Sequence, residues 1–129
     1  MKPALLVLGG YLATSPVTLP AAKPARQRCP EEKIDFTKET GCHNDGYVQF
    51  CAAEGNKQLR AAIKRIAPTA AKRNERNCSE KEILFFLPIE VELGSCVERR
   101  GAMTDKAWKQ VCALARLPQI AGIRHVRFE

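Results

Sequence analysis

The chain has 129 residues and a formal net charge of +7, from 21 Lys and Arg against 14 Asp and Glu. That length bounds it to one domain, large enough to bury a core that disulfides reinforce rather than replace. No run of roughly 20 apolar residues exists, which excludes a membrane-spanning helix, and the positive balance favours anionic partners.

Lys2 precedes the apolar run Ala4-Leu5-Leu6-Val7-Leu8-Gly9-Gly10-Tyr11-Leu12-Ala13. One positive charge before a short apolar core is the pattern of a secretory signal. Polar, proline-containing sequence starts at Thr14-Ser15-Pro16, and small residues at Leu19-Pro20-Ala21-Ala22 suit cleavage near Ala22. The expected organisation is a signal peptide over 1–22, a basic linker over 23–28 and a single domain over 29–129. Cys29 follows Ala25-Arg26-Gln27-Arg28, which is not a lipoprotein anchor site. Export to a secreted or periplasmic location gives the six cysteines, Cys29, Cys42, Cys51, Cys78, Cys96 and Cys112, an oxidising compartment in which to form disulfides. None of their spacings makes a Cys-x-x-Cys redox motif or a zinc knuckle, so the cysteines read as structural, with no metal site and no cofactor implied. Spacing does not select one connectivity for six cysteines. Cys78 and Cys96 bracket one apolar strand region, and they are the preferred pair.

Lys33-Ile34-Asp35-Phe36-Thr37 alternates apolar and polar residues as a strand does. His43-Asn44-Asp45-Gly46 supplies turn chemistry, and Tyr47-Val48-Gln49-Phe50-Cys51 follows as a second strand. A hairpin over 33–51 is expected. Asn56 is an N-cap, and Leu59, Ala62, Ile63 and Ile66 recur at helical spacing up to Pro68. Residues 69–79 read as loop. Ile83-Leu84-Phe85-Phe86-Leu87 is the most apolar run after the leader and is expected to be a central strand buried on both faces. Beyond Pro88, the alternation Ile89, Val91, Leu93 against Glu90 and Glu92 suggests an edge-like continuation, and 94–101 reads as loop. Thr104 caps a second helix whose apolar side holds Ala107, Trp108, Val111, Cys112, Leu114 and Ala115, with Pro118 past its end. Residues 123–128 read as a final strand. The expected fold is an α+β two-layer sandwich in ββαβαβ order, with an antiparallel or mixed sheet of about four strands, two helices and a ferredoxin-like layout.

Tyr47-Val48-Gln49-Phe50, a loop and the helix from Asn56 are similar to the opening of SPOR domains, peptidoglycan-binding βαββαβ modules of bacterial envelopes. The chain departs from them where Cys51-Ala52 replaces their Gly-Ser and in its six cysteines, and any ferredoxin-like domain opens this way, so membership is not assigned.

Two candidate sites emerge. Between Lys57 and Arg76 stand seven basic residues, Lys57, Arg60, Lys64, Arg65, Lys72, Arg73 and Arg76, against the single acid Glu75. The segment from Glu80 to Glu98 is acidic in turn, with Glu80, Glu82, Glu90, Glu92 and Glu98 against Lys81. The basic stretch suits an anionic polymer or an acidic protein. It lacks the interleaved aromatics of a dedicated nucleic-acid reader, and the solvated face of an amphipathic helix accounts for the same charges. The second candidate is the pair His43 and His125, the only histidines. They would serve as acid and base in a small secreted hydrolase, ribonuclease-like or glycan-acting, although no signature of such enzymes is present. Asp45 could orient His43, but turn chemistry already explains Asp45-Gly46. Ser15, Ser79 and Ser95 lack a nucleophile-elbow setting. The leading expectation is a monomeric, non-catalytic binding module, an inhibitor or an envelope-associated protein, contacting an anionic partner through the basic helix. The hydrolase is the alternative.

Overall fold

Strand β1 (Tyr47–Ala53) begins where Gly46 takes a positive φ of 102° that side-chain-bearing residues rarely adopt. The computed structural model describes residues 28–43, 46–73 and 78–126. In β1 the alternation seen in the sequence is obeyed: Val48, Phe50 and Ala52 are buried, and Tyr47, Gln49, Cys51 and Ala53 face the other way. The Asn56 side chain then accepts from the backbone N–H of Leu59 at 2.9 Å, starting helix α1 (Lys57–Ile66), which buries Leu59, Ala62 and Ile63. A short strand β2 (Ala71–Arg73) leads by way of Cys78 to β3 (Glu82–Pro88). The Thr104 hydroxyl accepts from the N–H of Ala107 at 3.2 Å to cap helix α2 (Asp105–Ala115), and β4 (Ile123–His125) follows.

Among the described residues the fold is α+β, with two helices, three disulfides and a four-stranded sheet in the order β2-β3-β1-β4, every neighbouring pair antiparallel. The register puts Val48 opposite Leu87, Phe50 opposite Phe85 and Phe50 opposite Ile123, all facing the helices. The Phe50 and Phe85 rings stack with centroids 5.4 Å apart. This inner face is continuous with Leu59 and Ile63 of α1 and with Val111, Leu114 and Ala115 of α2 in one buried cluster. On the opposite face Leu84, Phe86 and Val126 form a separate small cluster, packed by Tyr47, Cys51 and Cys78. β3 is thus buried on both faces, as its unbroken apolar run implies.

Several expectations are corrected. The described elements run β-α-β-β-α-β rather than ββαβαβ. The hairpin over 33–51 does not form. Residues Glu31–Lys33 make a 3-10 turn, and Ile34 touches the sheet through a single parallel bridge to Ile123. Ile34 and Phe36 are buried and Asp35 is exposed, so the alternation recorded which side chains pack, not a ladder. Hydrogen bonds between Thr37 and Thr40 then turn the chain away. Within the stretch read as loop, Ala71, Lys72 and Arg73 pair with Phe86, Phe85 and Leu84. The edge-like continuation past Pro88 is instead a turn, with Leu93 and Gly94 donating to Glu90 and Val91 and leaving Val91 and Leu93 43 % and 50 % exposed. The last strand ends at His125, and residues 127–129 lie outside the described residues, as do the leader and residues 23–27 of the linker.

The disulfides are Cys29–Cys112, Cys42–Cys96 and Cys51–Cys78, so the preferred pair Cys78–Cys96 is overturned. Those two cysteines flank opposite ends of β3, a seven-residue strand. A strand of that length spans about 20 Å, and a disulfide needs Cα atoms within about 7 Å. Each cysteine therefore bonds across the fold: Cys51 on β1 takes Cys78, and Cys42 takes Cys96. Near Cys29–Cys112, the Lys33 ammonium donates to the carbonyls of Ala115 and Leu117 at 2.8 and 3.2 Å. That places a cation on the negative end of α2.

Candidate functional site

Helical spacing puts Lys57, Arg60 and Lys64 on one stripe of α1, at i, i+3 and i+7. Register does the rest. Lys72 pairs with Phe85, and cross-strand partners share a face, so its side chain stands on the helix side of the sheet. The four cations line one groove between α1 and β2, of about 470 Å³. Its floor is apolar: Ala61, Ile63, Pro68, Ala70 and Phe85. Among the described residues, no acidic one lines it. Like charges held this close to low-dielectric walls reinforce one another's field instead of cancelling it.

Arg60 is the half-buried member of the stripe, while Lys57 and Lys64 are exposed. The Arg60 Nε is shielded from solvent and has no hydrogen-bond partner among the described residues. A buried donor left unmade costs roughly 1–3 kcal/mol. The structure therefore carries an unsatisfied donor on the central cation of this groove.

The basic stretch does not act as one patch. Arg65 is exposed and takes no part in lining the groove. Arg73 is paired with Leu84 and stands on the opposite face of the sheet, its guanidinium carbon 4.8 Å from the centre of the Phe86 ring. Arg76 and Glu75 lie outside the described residues. Lys57, Arg60, Lys64 and Lys72 are brought together, and the strand alternation that parts Lys72 from Arg73 is the signal that would have separated them had β2 been recognised.

The two histidines are placed differently. The ring of His125 stacks on Phe36 with centroids 4.4 Å apart and planes 10° apart. Its Nε2 lies 3.4 Å from the Gly41 carbonyl oxygen, and its backbone N–H donates to the Asp35 carboxylate at 2.9 Å. Those contacts describe a packing residue on the last strand. His43 is exposed beside Cys42, and its backbone N–H donates to Thr40. Asp45, the candidate partner of His43, lies outside the described residues. Trp108 is half-buried and meets Phe36 edge-on at 6.2 Å, at the margin of the core.

Two other clefts differ in character. The larger, about 600 Å³, lies against the Cys42–Cys96 bridge and mixes Glu90 and Glu92 with Arg99 and Arg100. Its walls carry both signs, so its field is weaker than that of the all-cationic groove. The other, about 240 Å³, lies beside Cys51–Cys78 with Gln49, Ser79, Glu82 and Arg124 around it. Neither was visible in the sequence, because each gathers residues from segments far apart in the chain. Among the described residues, no group of three or more His, Cys, Asp and Glu could hold a metal ion, and no helix is long and apolar enough to cross a membrane.

Comparisons of the chain with protein-family models, with curated proteins and with solved structures found no match in any of the three.

Proposed function

We propose that this protein is a non-catalytic binding module that takes an anionic partner in the groove between α1 and β2. The observation that carries the reading is the convergence of Lys57, Arg60, Lys64 and Lys72 on one groove that no carboxylate among the described residues lines. Bringing four cations to one place costs self-repulsion, and an anion seated there relieves it. We propose further that the module works outside the reducing cytosol, secreted or in a periplasm. All six cysteines are paired, and disulfides persist in oxidising compartments. An inhibitor docking on an acidic protein and an envelope-associated protein held on an anionic polymer would use this same contact. For the fold we propose the ferredoxin-like topology, which the β-α-β-β-α-β order and the strand order β2-β3-β1-β4 support.

The test is retention of the oxidised protein on immobilised heparin under a rising salt gradient. The variant carrying Lys57→Gln, Arg60→Gln, Lys64→Gln and Lys72→Gln is expected to elute far earlier than the parent. A variant with the same net charge, carrying Arg65→Gln, Lys81→Gln, Arg99→Gln and Lys109→Gln at exposed positions, controls for bulk charge and is expected to stay close to the parent. Equal elution of the two variants would reject the groove as the contact.

A further inference from the structure

We infer that the α1–β2 groove takes a small amphiphilic oxyanion, a carboxylate or phosphate carried on an acyl or aryl body, and that Arg60 selects it. This rests on the anion-binding reading of the same groove.

Three observations bear on the occupant. The first is Arg60 itself. It sits between Lys57 and Lys64 on the stripe, and its Nε donor is without a partner among the described residues. A guanidinium offers Nε–H and one Nη–H as parallel donors, and a carboxylate or phosphate accepts both at once. Arg60 lines the groove, so an oxyanion seated there that engages the Nε–H supplies a bond that no described residue provides. A lysine ammonium cannot reproduce that fork. The second is the floor. Ile63 and Phe85, both buried, line the groove together with Pro68 and Ala70. A bare polyanion has no use for such a surface, whereas the carbon body of an amphiphile displaces water from it. The third is size: about 470 Å³ lies within the range of small-molecule sites. Lys57, Lys64 and Lys72 then supply a field that attracts any anion, and Arg60 reads the shape of the headgroup.

The experiment is calorimetric titration of the oxidised full chain with decanoate, decyl phosphate, acetate, inorganic phosphate and heparin, the amphiphiles kept below their micelle concentrations. Decanoate or decyl phosphate is expected to bind at least about ten-fold more tightly than acetate or inorganic phosphate, because only the former pair covers the floor. Preference between the two amphiphiles names the headgroup. Arg60→Lys, which keeps the charge, is expected to weaken the favoured amphiphile about ten-fold, and Lys64→Gln about three-fold. Circular dichroism checks that both variants are folded. Parent-like binding by Arg60→Lys, or inorganic phosphate binding as tightly as decyl phosphate, overturns the inference. Heparin bound without either amphiphile overturns it too, and leaves the anion groove standing. Failure of all five ligands removes both readings together.

Discussion

The two faces of the sheet solve the same problem by different means. On the inner face, Val48, Phe50, Phe85, Leu87 and Ile123 are covered by two helices and join one extended core. On the outer face, Leu84, Phe86 and Val126 have no helix above them among the described residues. They are covered by the Cys51–Cys78 bridge, by Tyr47, whose ring lies 5.8 Å from that of Phe86, and by the Arg73 guanidinium over Phe86. An apolar surface without a second layer is thus sealed by a crosslink, an aromatic edge and a cation with an aliphatic stem. The cationic groove lies on the helix-covered side, between α1 and β2, with Phe85 among its lining residues.

That contrast makes the inner face the larger store of stability. Phe50→Ala removes a ring stacked within the main core and is expected to cost about 3–5 kcal/mol in urea unfolding. A loss of under about 1 kcal/mol would mean the helix layer collapses onto the gap and the two faces are not so different.

Replacing Cys51 and Cys78 together by Ser should cost about 3–4 kcal/mol, from the loop entropy released by a crosslink spanning 27 positions. Hydrogen exchange sharpens the comparison here. Protection should fall first at the amides of Lys72 and Arg73 and of the adjoining part of β3, while α2 keeps its protection. Uniform loss across the molecule would show that the two clusters unfold as one.

Arg73→Ala should be milder, about 0.5–1 kcal/mol, through the lost cation–π contact and stem packing on Phe86. Thermal melting of this variant beside Arg65→Ala checks it, since Arg65 is exposed and should change nothing measurable.

The smallest effect concerns the start of α2. The Asp105 carboxyl is held below its ordinary value of 3.8 by the Lys38 ammonium, which hydrogen-bonds to it and attracts its charge. A carboxyl depressed in the folded state adds stability that is complete above its ordinary value and is lost as pH falls through the lower, folded one. Lys38→Met should therefore shift the melting temperature slightly at pH 6 and progressively less as pH falls below 3.8. Because the Asp105 side chain is 81 % exposed, the effect should also fade in high salt. An equal shift at every pH would assign the change to packing of the Lys38 stem.

How much of this was legible depends on the range of the signal. Helix α1 was read from Asn56, its apolar spacing and Pro68, and α2 from Thr104 and its own stripe, because caps and 3.6-residue periodicity are local. β1 and β3 were read from alternation and from an unbroken apolar run. β2 was not, because all three of its residues are exposed and it exists only through its pairing with β3. The hairpin over 33–51 failed for the converse reason: Ile34, Asp35 and Phe36 alternate in burial while barely joining a ladder. Of the seven basic residues singled out, four meet in a groove: helical spacing already set Lys57, Arg60 and Lys64 on one stripe, whereas parting Lys72 from Arg73 required recognising β2.

The order of residues alone settled two amphipathic helices, the strongest strands, the strong positive charge and a cysteine set fit for crosslinking, since each follows from composition or from neighbours a few positions apart. Tertiary structure alone decided which cysteines bond, which face of the sheet each cation occupies and where an unpartnered Arg60 donor meets an apolar floor. Those outcomes depend on strand register, and register is fixed by contacts between segments tens of residues apart, where shifting the pairing by one position sends every side chain to the opposite face.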